Sequence, residues 1–287
     1  MIKTVFIVGP TGIGKTEYAI NYALEHNGEI VSADSMQLYK YLDIGSAKPT
    51  KEERAKVPHF LVDEIDPRED FSVYEYKDLA MKYIKDIHER GKLPIVCGGT
   101  GLYVNALVYD MDFSAPEGSQ EYRDKIWKEC NEDPEILYER LRSLDPDAAE
   151  SIHKNNVKRV LRAVERLEKG EEKLAEFKNI QTKSSVLDCD IMVLSMDREK
   201  LYDRINKRVD KLYDLGLEKE VRSLMDMGFT SEDVAMKGIG YKEIIDAINM
   251  GGTAESARDL IKQNSRHYAK RQITWFKKYK DQKIIEV

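Results

Sequence analysis

The chain has 287 residues, of which 34% are charged and 41% hydrophobic, with a net charge of −6, so one large domain or two unequal ones with ample core is expected. No run of about eighteen apolar residues occurs and no charged-then-apolar leader opens the sequence, which excludes a membrane-spanning helix and predicts no targeting segment. Three cysteines, Cys97, Cys130 and Cys189, share no metal-like spacing, so reduced thiols in a cytoplasm are expected, and the acidic total argues against a polyanion partner unless basic charge is concentrated locally.

TVFIVG, a β-branched apolar run ending in glycine, predicts a buried parallel strand, followed by a helix over Thr16–Glu25. EIVSAD is a second strand ending at Asp34, and HFLVDEI, bracketed by Pro58 and Pro67, reads as a third. Val73–Arg90 has the spacing of an amphipathic helix stopped by Gly91, and LPIVCGGTGLY gives strand, turn and helix start. From Ser119 to about Gln181 the pattern is helix after helix, rich in charge. CDIMVLSMD restores a strand, Arg198–Leu215, Leu217–Met227 and Ala254–Tyr279 are helical, and KIIEV is a last short strand. The expected fold class is therefore α/β: a P-loop NTPase-like doubly wound parallel sheet with an all-helical insertion, the core being 1–111 and 188–287 and the insertion 112–187.

Gly9-Pro10-Thr11-Gly12-Ile13-Gly14-Lys15-Thr16 satisfies G-x-x-x-x-G-K-[ST] between a strand and a helix, the context that motif requires. Backbone N–H groups and the helix N-terminus would cradle phosphates, Lys15 would add a mobile charge and the Thr16 hydroxyl a magnesium ligand. Such a loop suits any di- or triphosphate, ATP included, and names no reaction. LPIVC runs into Gly98-Gly99-Thr100 instead of ending in the aspartate of a motor or switch NTPase. Asp34 does end a strand, and strand C-termini border the ligand crevice of an open α/β sheet, so Asp34 and Thr100 should face the phosphate loop. Both residues also suit plain capping roles.

Taken in order, GPTGIGKT, SADSMQLYKYLDIGSAKP, VPHFLVDEIDP, GGTGLYVNAL, LYDRINKRVDKLYDLGLEKEV, KGIGYKEI and YAKRQITWF resemble the tRNA dimethylallyltransferase family over nearly the whole chain. The chain stops soon after TWF, which predicts a bacterial type without the zinc finger of some eukaryotic members. It departs from an HPND-like family stretch at His153-Lys154-Asn155-Asn156, although VKRVLRAVE follows as expected.

The resemblance implies transfer of a dimethylallyl group from its diphosphate to N6 of the adenosine 3′ of the anticodon. It implies Asp34 as general base, Thr100 as a polar contact at the reacting centre and Arg208 on the diphosphate with Lys15, Thr16, the loop and Mg2+. Read from sequence alone, Arg208 is first a solvated helix arginine, and only the resemblance puts it on the diphosphate. Adenine extruded from a stacked loop would be read near Asp34, Ser35, Met36, Gln37 and Thr100. The RNA would be gripped by Arg123, Lys158, Arg159 and Arg162 of the insertion and by Lys270, Arg271, Gln272, Trp275 and Lys277, within a Lys262–Lys283 stretch holding eight Lys or Arg and one acid. Those two helices are also readable as solvated faces over a buried Trp275. Tyr241 and Lys242 are further RNA contacts by resemblance, or a helix-linking turn with Tyr241 packed. The implied partners are a tRNA anticodon stem-loop and dimethylallyl diphosphate, with no membrane and the chain a monomer. A small-molecule kinase and a nucleotide-switched RNA-binding ATPase are the rival readings.

Overall fold

Residues 1–69, 71–110, 119–170 and 182–287 are described in the structure, a computed structural model. In chain order β1 (Ile2–Val8), α1 (Lys15–Glu25), β2 (Gly28–Ser32), α2 (Lys51–Lys56), β3 (His59–Phe60), α3 (Val73–Glu89), β4 (Leu93–Gly98) and α4 (Gly101–Val108) come first. Four helices follow: α5 (Ser119–Glu129), α6 (Pro134–Leu144), α7 (Pro146–Ser151) and α8 (Val157–Glu168). Then come β5 (Leu187–Ser195), α9 (Arg198–Asp214), α10 (Leu217–Asp226), α11 (Tyr241–Asn249), α12 (Arg258–Phe276) and β6 (Gln282–Glu286).

The strands form one parallel sheet in the order β3-β2-β4-β1-β5-β6, the P-loop-like α/β architecture. Val5, Phe6, Ile7 and Val8 of β1 are fully buried, as a central parallel strand covered on both faces must be. Helix α3 buries Tyr76, Ala80, Ile84 and Ile87, a single stripe at helical spacing, and starts from a Ser72–Glu75 capping box.

The HFLVDEI reading needs correction. Only His59 and Phe60 pair as strand. Leu61 and Asp63 then take positive φ of 58° and 66°, and the Glu64 carboxylate accepts the Leu61 N–H at 2.6 Å and the Tyr83 hydroxyl at 2.8 Å. Glu64 thus closes a turn where apolar content alone suggested a longer strand.

Two compact units emerge, Met1–Tyr109 with Ser184–Val287, and Asp110–Lys183. The divisions lie a few residues before those read from the sequence, and residues 111–118 and 171–181 of the helical stretch lie outside the described part. The second unit has its own core, in which Ile126, Leu137, Leu141, Ile152, Val160 and Val164 are buried together. Arg140 ties its helices by pairing with Glu168 at 2.6 Å and Glu129 at 2.9 Å. Lys154, which with Asn156 departs from the family stretch, pairs with Glu135 at 2.8 Å. Among the described residues no helix is long and apolar enough to cross a membrane.

Candidate functional site

The Gly9–Thr16 loop leaves β1 and enters α1 through Gly14, whose φ of 100° lies in the left-handed region that a side chain would resist. Ile13, although in a loop, is buried in the sheet core and pins the turn from below. Lys15 folds back so that Nζ donates to the Pro10 carbonyl at 2.9 Å. Burial pushes its ammonium down to about 8, with Cys97 and Asp34 opposing and Arg208 adding to the fall. Thr11 is held twice: its N–H donates to Gln272 Oε1 at 2.8 Å and its hydroxyl accepts from Arg208 Nη1 at 2.9 Å. Burial also lowers the Arg208 guanidinium, against the pull of Asp34.

Strand register brings the other residues to this loop. Val8 pairs with Gly98 and Ser32 with Cys97, so β1, β2 and β4 release their chains at one level of the sheet edge. Thr100 stands before α4 yet makes no side-chain cap. Its hydroxyl accepts from the Ser35 N–H at 2.9 Å and donates to Ser35 Oγ at 3.2 Å, which locks the β2 and β4 turns together. Asp34 Oδ1 accepts from the N–H groups of Met36 at 2.9 Å and Gln37 at 3.4 Å, capping a turn. Its Oδ2 has no hydrogen-bond partner among the described residues.

Two cavities meet here. The larger, about 790 Å3, is lined by Lys15, Thr16, Asp34, Arg204, Lys207 and Arg208 among others. The smaller, about 280 Å3, is lined by Asp34, Met36, Ile205, Val209, Ile239 and Tyr268 among others. Thr11, Asp34, Arg208 and Tyr268 border both. The larger side therefore suits a polyanion, the smaller joins an apolar wall to Arg208, Lys237 and Arg271 and so suits a flat or branched group carried on a charged ligand, and a carboxylate stands at the junction.

Sequence reasoning missed Arg204, Lys207 and Lys211, which line the larger cavity with Arg208. Their spacing on α9 is that of one helix face, and that periodicity was the available signal. It also missed Tyr268, whose phenol is raised to about 12 by burial and then by Asp34, with hydrogen bonds to Thr100 and Gln272 opposing.

Several expected RNA contacts turn inward, and for Tyr241 and Trp275 the packed alternative is the one seen. Gln272 is buried and donates from Nε2 to the Gly99 carbonyl at 2.9 Å while accepting from Thr11, so it staples the phosphate loop to the Gly99–Thr100 turn at the wall of the larger cavity. Tyr241 is only 1% exposed, its ring under Gly45 and its hydroxyl donating to Glu220 at 2.7 Å. Arg123 is turned to Glu165 at 2.9 Å with its side chain 19% exposed, joining α5 to α8. Trp275 lies against Gly101 and directs Nε1 to Asn105 Oδ1 at 3.4 Å, the packed alternative. Lys158, Arg159 and Arg162 are exposed on α8, Lys242 on α11, and Lys270, Arg271 and Lys277 at α12. Ser35 and Met36 line the smaller cavity and Gln37 the larger.

Residues 37–279 match the family described as IPP transferase. The chain is 48% identical over 280 residues to a tRNA dimethylallyltransferase of Acetivibrio thermocellus, covering 97% of this chain and 90% of that one. It is 46% identical over 287 residues to the protein of the same name from Clostridioides difficile, covering 100% and 92%. Among solved structures it resembles a tRNA delta(2)-isopentenylpyrophosphate transferase from Staphylococcus epidermidis, with 43% identity, a TM-score of 0.72 and coverage of 100% and 93%. It also resembles a eukaryotic dimethylallyltransferase caught acting on tRNA, with 30% identity, a TM-score of 0.85 and coverage of 100% and 74%.

Proposed function

The chain belongs to the IPP transferase family, and on that premise we propose that it moves a dimethylallyl group from dimethylallyl diphosphate to N6 of the adenosine 3′ of the anticodon in tRNA, releasing diphosphate. The observation that carries the reading is the convergence of the Gly9–Thr16 loop, Arg208 and the half-open Asp34 carboxylate on two joined cavities, with Thr100 behind them bonded to Ser35. A switch ATPase leaves Asp34 and Thr100 without work, whereas a kinase could use Asp34 on its acceptor hydroxyl and is separated from this reading by the donor it consumes. Mass analysis of nucleosides from unmodified tRNA incubated with the protein, dimethylallyl diphosphate and Mg2+ tests it. Prenylated adenosine is expected; labelled phosphate moving from ATP to an acceptor, with no prenylated base, would favour the kinase.

The loop amides, Lys15 and Arg208 take the diphosphate oxygens and stabilise the charge that grows as the carbon–oxygen bond breaks. The N6 lone pair is delocalised into the adenine ring, so attack is aided when Asp34 Oδ2 accepts the N6 proton as the carbon–nitrogen bond forms. Thr100 and Ser35 fix the turn from which Asp34 projects. Thr16 fits a divalent metal in part: it offers one hydroxyl, and among the described residues no cluster of three His, Cys, Asp or Glu could cage an ion. Mg2+ suits such a sparse donor set because it keeps waters and takes phosphate oxygens. When bound it would neutralise diphosphate charge.

Donor binding should be linked to protons through Lys15. Its ammonium sits near 8 in the free protein, and an adjacent diphosphate favours the charged form, so binding raises that value. Affinity is then highest below about 8 and falls by up to about tenfold per pH unit above it. Calorimetry at about pH 8.5 in two buffers of different ionisation enthalpy should report proton uptake that Lys15→Ala abolishes. Zero uptake by the unaltered protein contradicts this linkage.

The exposed trio on α8 supplies a second expectation. Lys158→Ala, Arg159→Ala and Arg162→Ala together should weaken tRNA binding and flatten its dependence on log salt by about 0.7 to 0.9 for each phosphate they cease to neutralise. Donor binding should hold, since every residue lining the two cavities belongs to the first unit. An unchanged salt slope would make the trio a solvated face.

A further inference from the structure

Glu220 on α10 carries an unusual load for a carboxylate. Its Oε2 accepts from the N–H groups of Asp43 at 3.0 Å and Ile44 at 2.7 Å, and its Oε1 from the Gly45 N–H at 3.0 Å and the Tyr241 hydroxyl at 2.7 Å. The Tyr241 hydroxyl in turn accepts from the Ser46 N–H at 3.2 Å. Four successive backbone donors in a stretch without helix or strand are thus satisfied by two side chains from α10 and α11. The approach is close: a Cβ on Gly45 would lie 2.5 Å from Tyr241 Cζ. Ala47, the next residue but one, is held at a φ of 47°, a conformation that persists only where surrounding contacts impose it.

This turn faces the site. Asp43, Ile44 and Ala47 line the larger cavity, and Gly45 and Ser46 the smaller. The Ser46 and Ala47 carbonyls accept from Gln37 Nε2 at 3.5 and 3.2 Å. Gln37 and Met36 N–H groups hold Asp34 Oδ1. A continuous hydrogen-bonded path therefore runs from Glu220 through the 43–47 turn and Gln37 to the carboxylate assigned above as the base.

We propose that Glu220, buttressed by Tyr241, is a positioning residue for prenyl transfer, fixing the 43–47 turn and through it the orientation of Asp34. The inference rests on the reading of Asp34 as general base. Glu220→Gln keeps the side-chain shape but presents an amide N–H to donors, so at least one backbone N–H loses its acceptor. The single-turnover transfer rate at saturating donor and tRNA should fall about tenfold, the factor for one charge-assisted hydrogen bond. Donor affinity should change less than the rate, because the loop amides, Lys15 and Arg208 are not on this path even though Asp43, Ile44 and Ala47 line the same cavity.

The deciding measurement repeats Glu220→Gln in an Asp34→Asn background. If Glu220 acts through Asp34, the second substitution costs less than about twofold there, the non-additivity of residues that work as a unit. An equal loss in both backgrounds, or a normal rate in the folded single variant, overturns the proposal. Should Glu220→Gln fail to fold, Tyr241→Phe, which removes one hydroxyl from the same cluster, takes its place with a smaller loss expected and the same two-background comparison. Absence of prenylated adenosine with the unaltered protein would instead sink the functional reading itself.

Discussion

Asp34→Asn should slow prenyl transfer by roughly a hundred- to ten-thousandfold, the range for loss of a positioned general base. The substitution suits the question because an amide keeps the acceptor oxygen that caps the turn through Met36 and Gln37. What disappears is a carboxylate oxygen able to take the N6 proton. Donor and tRNA affinities should change little, since the residue does not belong to the phosphate loop and its turn survives. Single-turnover quench-flow with both substrates saturating isolates the chemical step. A near-normal rate would remove Asp34 from that step and return it to a capping role.

Lys15→Ala should be nearly as damaging for a different reason. Lys15 is the cation that the loop itself folds over the phosphate site, tethered to the Pro10 carbonyl at 2.9 Å. Its burial makes its charge weakly screened, so it acts strongly on a diphosphate gaining charge as it departs. Loss of one preorganised group of this kind costs about a hundred- to a thousandfold in rate. Donor affinity should weaken as well, which distinguishes this variant from Asp34→Asn. Measuring both quantities separates ground-state from transition-state stabilisation. Unchanged affinity and rate would mean that Arg208 and the loop amides suffice.

That the phosphate loop, Asp34 and Thr100 stand at one sheet edge was legible because each follows a strand, and parallel strands deliver their C-terminal turns to one edge. Arg208 became a candidate only by resemblance; the helix spacing of Arg204, Lys207, Arg208 and Lys211 was a physical signal that passed unused. Gln272 was placed in a basic, aromatic surface-like run, and for Tyr241 the packed alternative stood open beside the RNA contact implied by resemblance; the partners that bury them, Thr11 and Glu220, come from other elements. Burial of a polar side chain depends on that distant partner, and local pattern does not carry it. Glu220 is the extreme case, since three of its donors are backbone groups about 175 positions away along the chain, and backbone donors leave no mark in a sequence. The Leu61–Glu64 turn within HFLVDEI was hidden in the same way, closed by a carboxylate that also accepts from Tyr83 on α3.

The central claim is that the loop holds a leaving group and hydrolyses nothing. It is tested most directly by following the phosphorus of the donor in a reaction containing only the protein, tRNA, dimethylallyl diphosphate and Mg2+. One inorganic diphosphate should appear for each prenylated adenosine, with no orthophosphate and no requirement for ATP. Orthophosphate released in step with turnover, or transfer that proceeds only when ATP is consumed, would contradict the account.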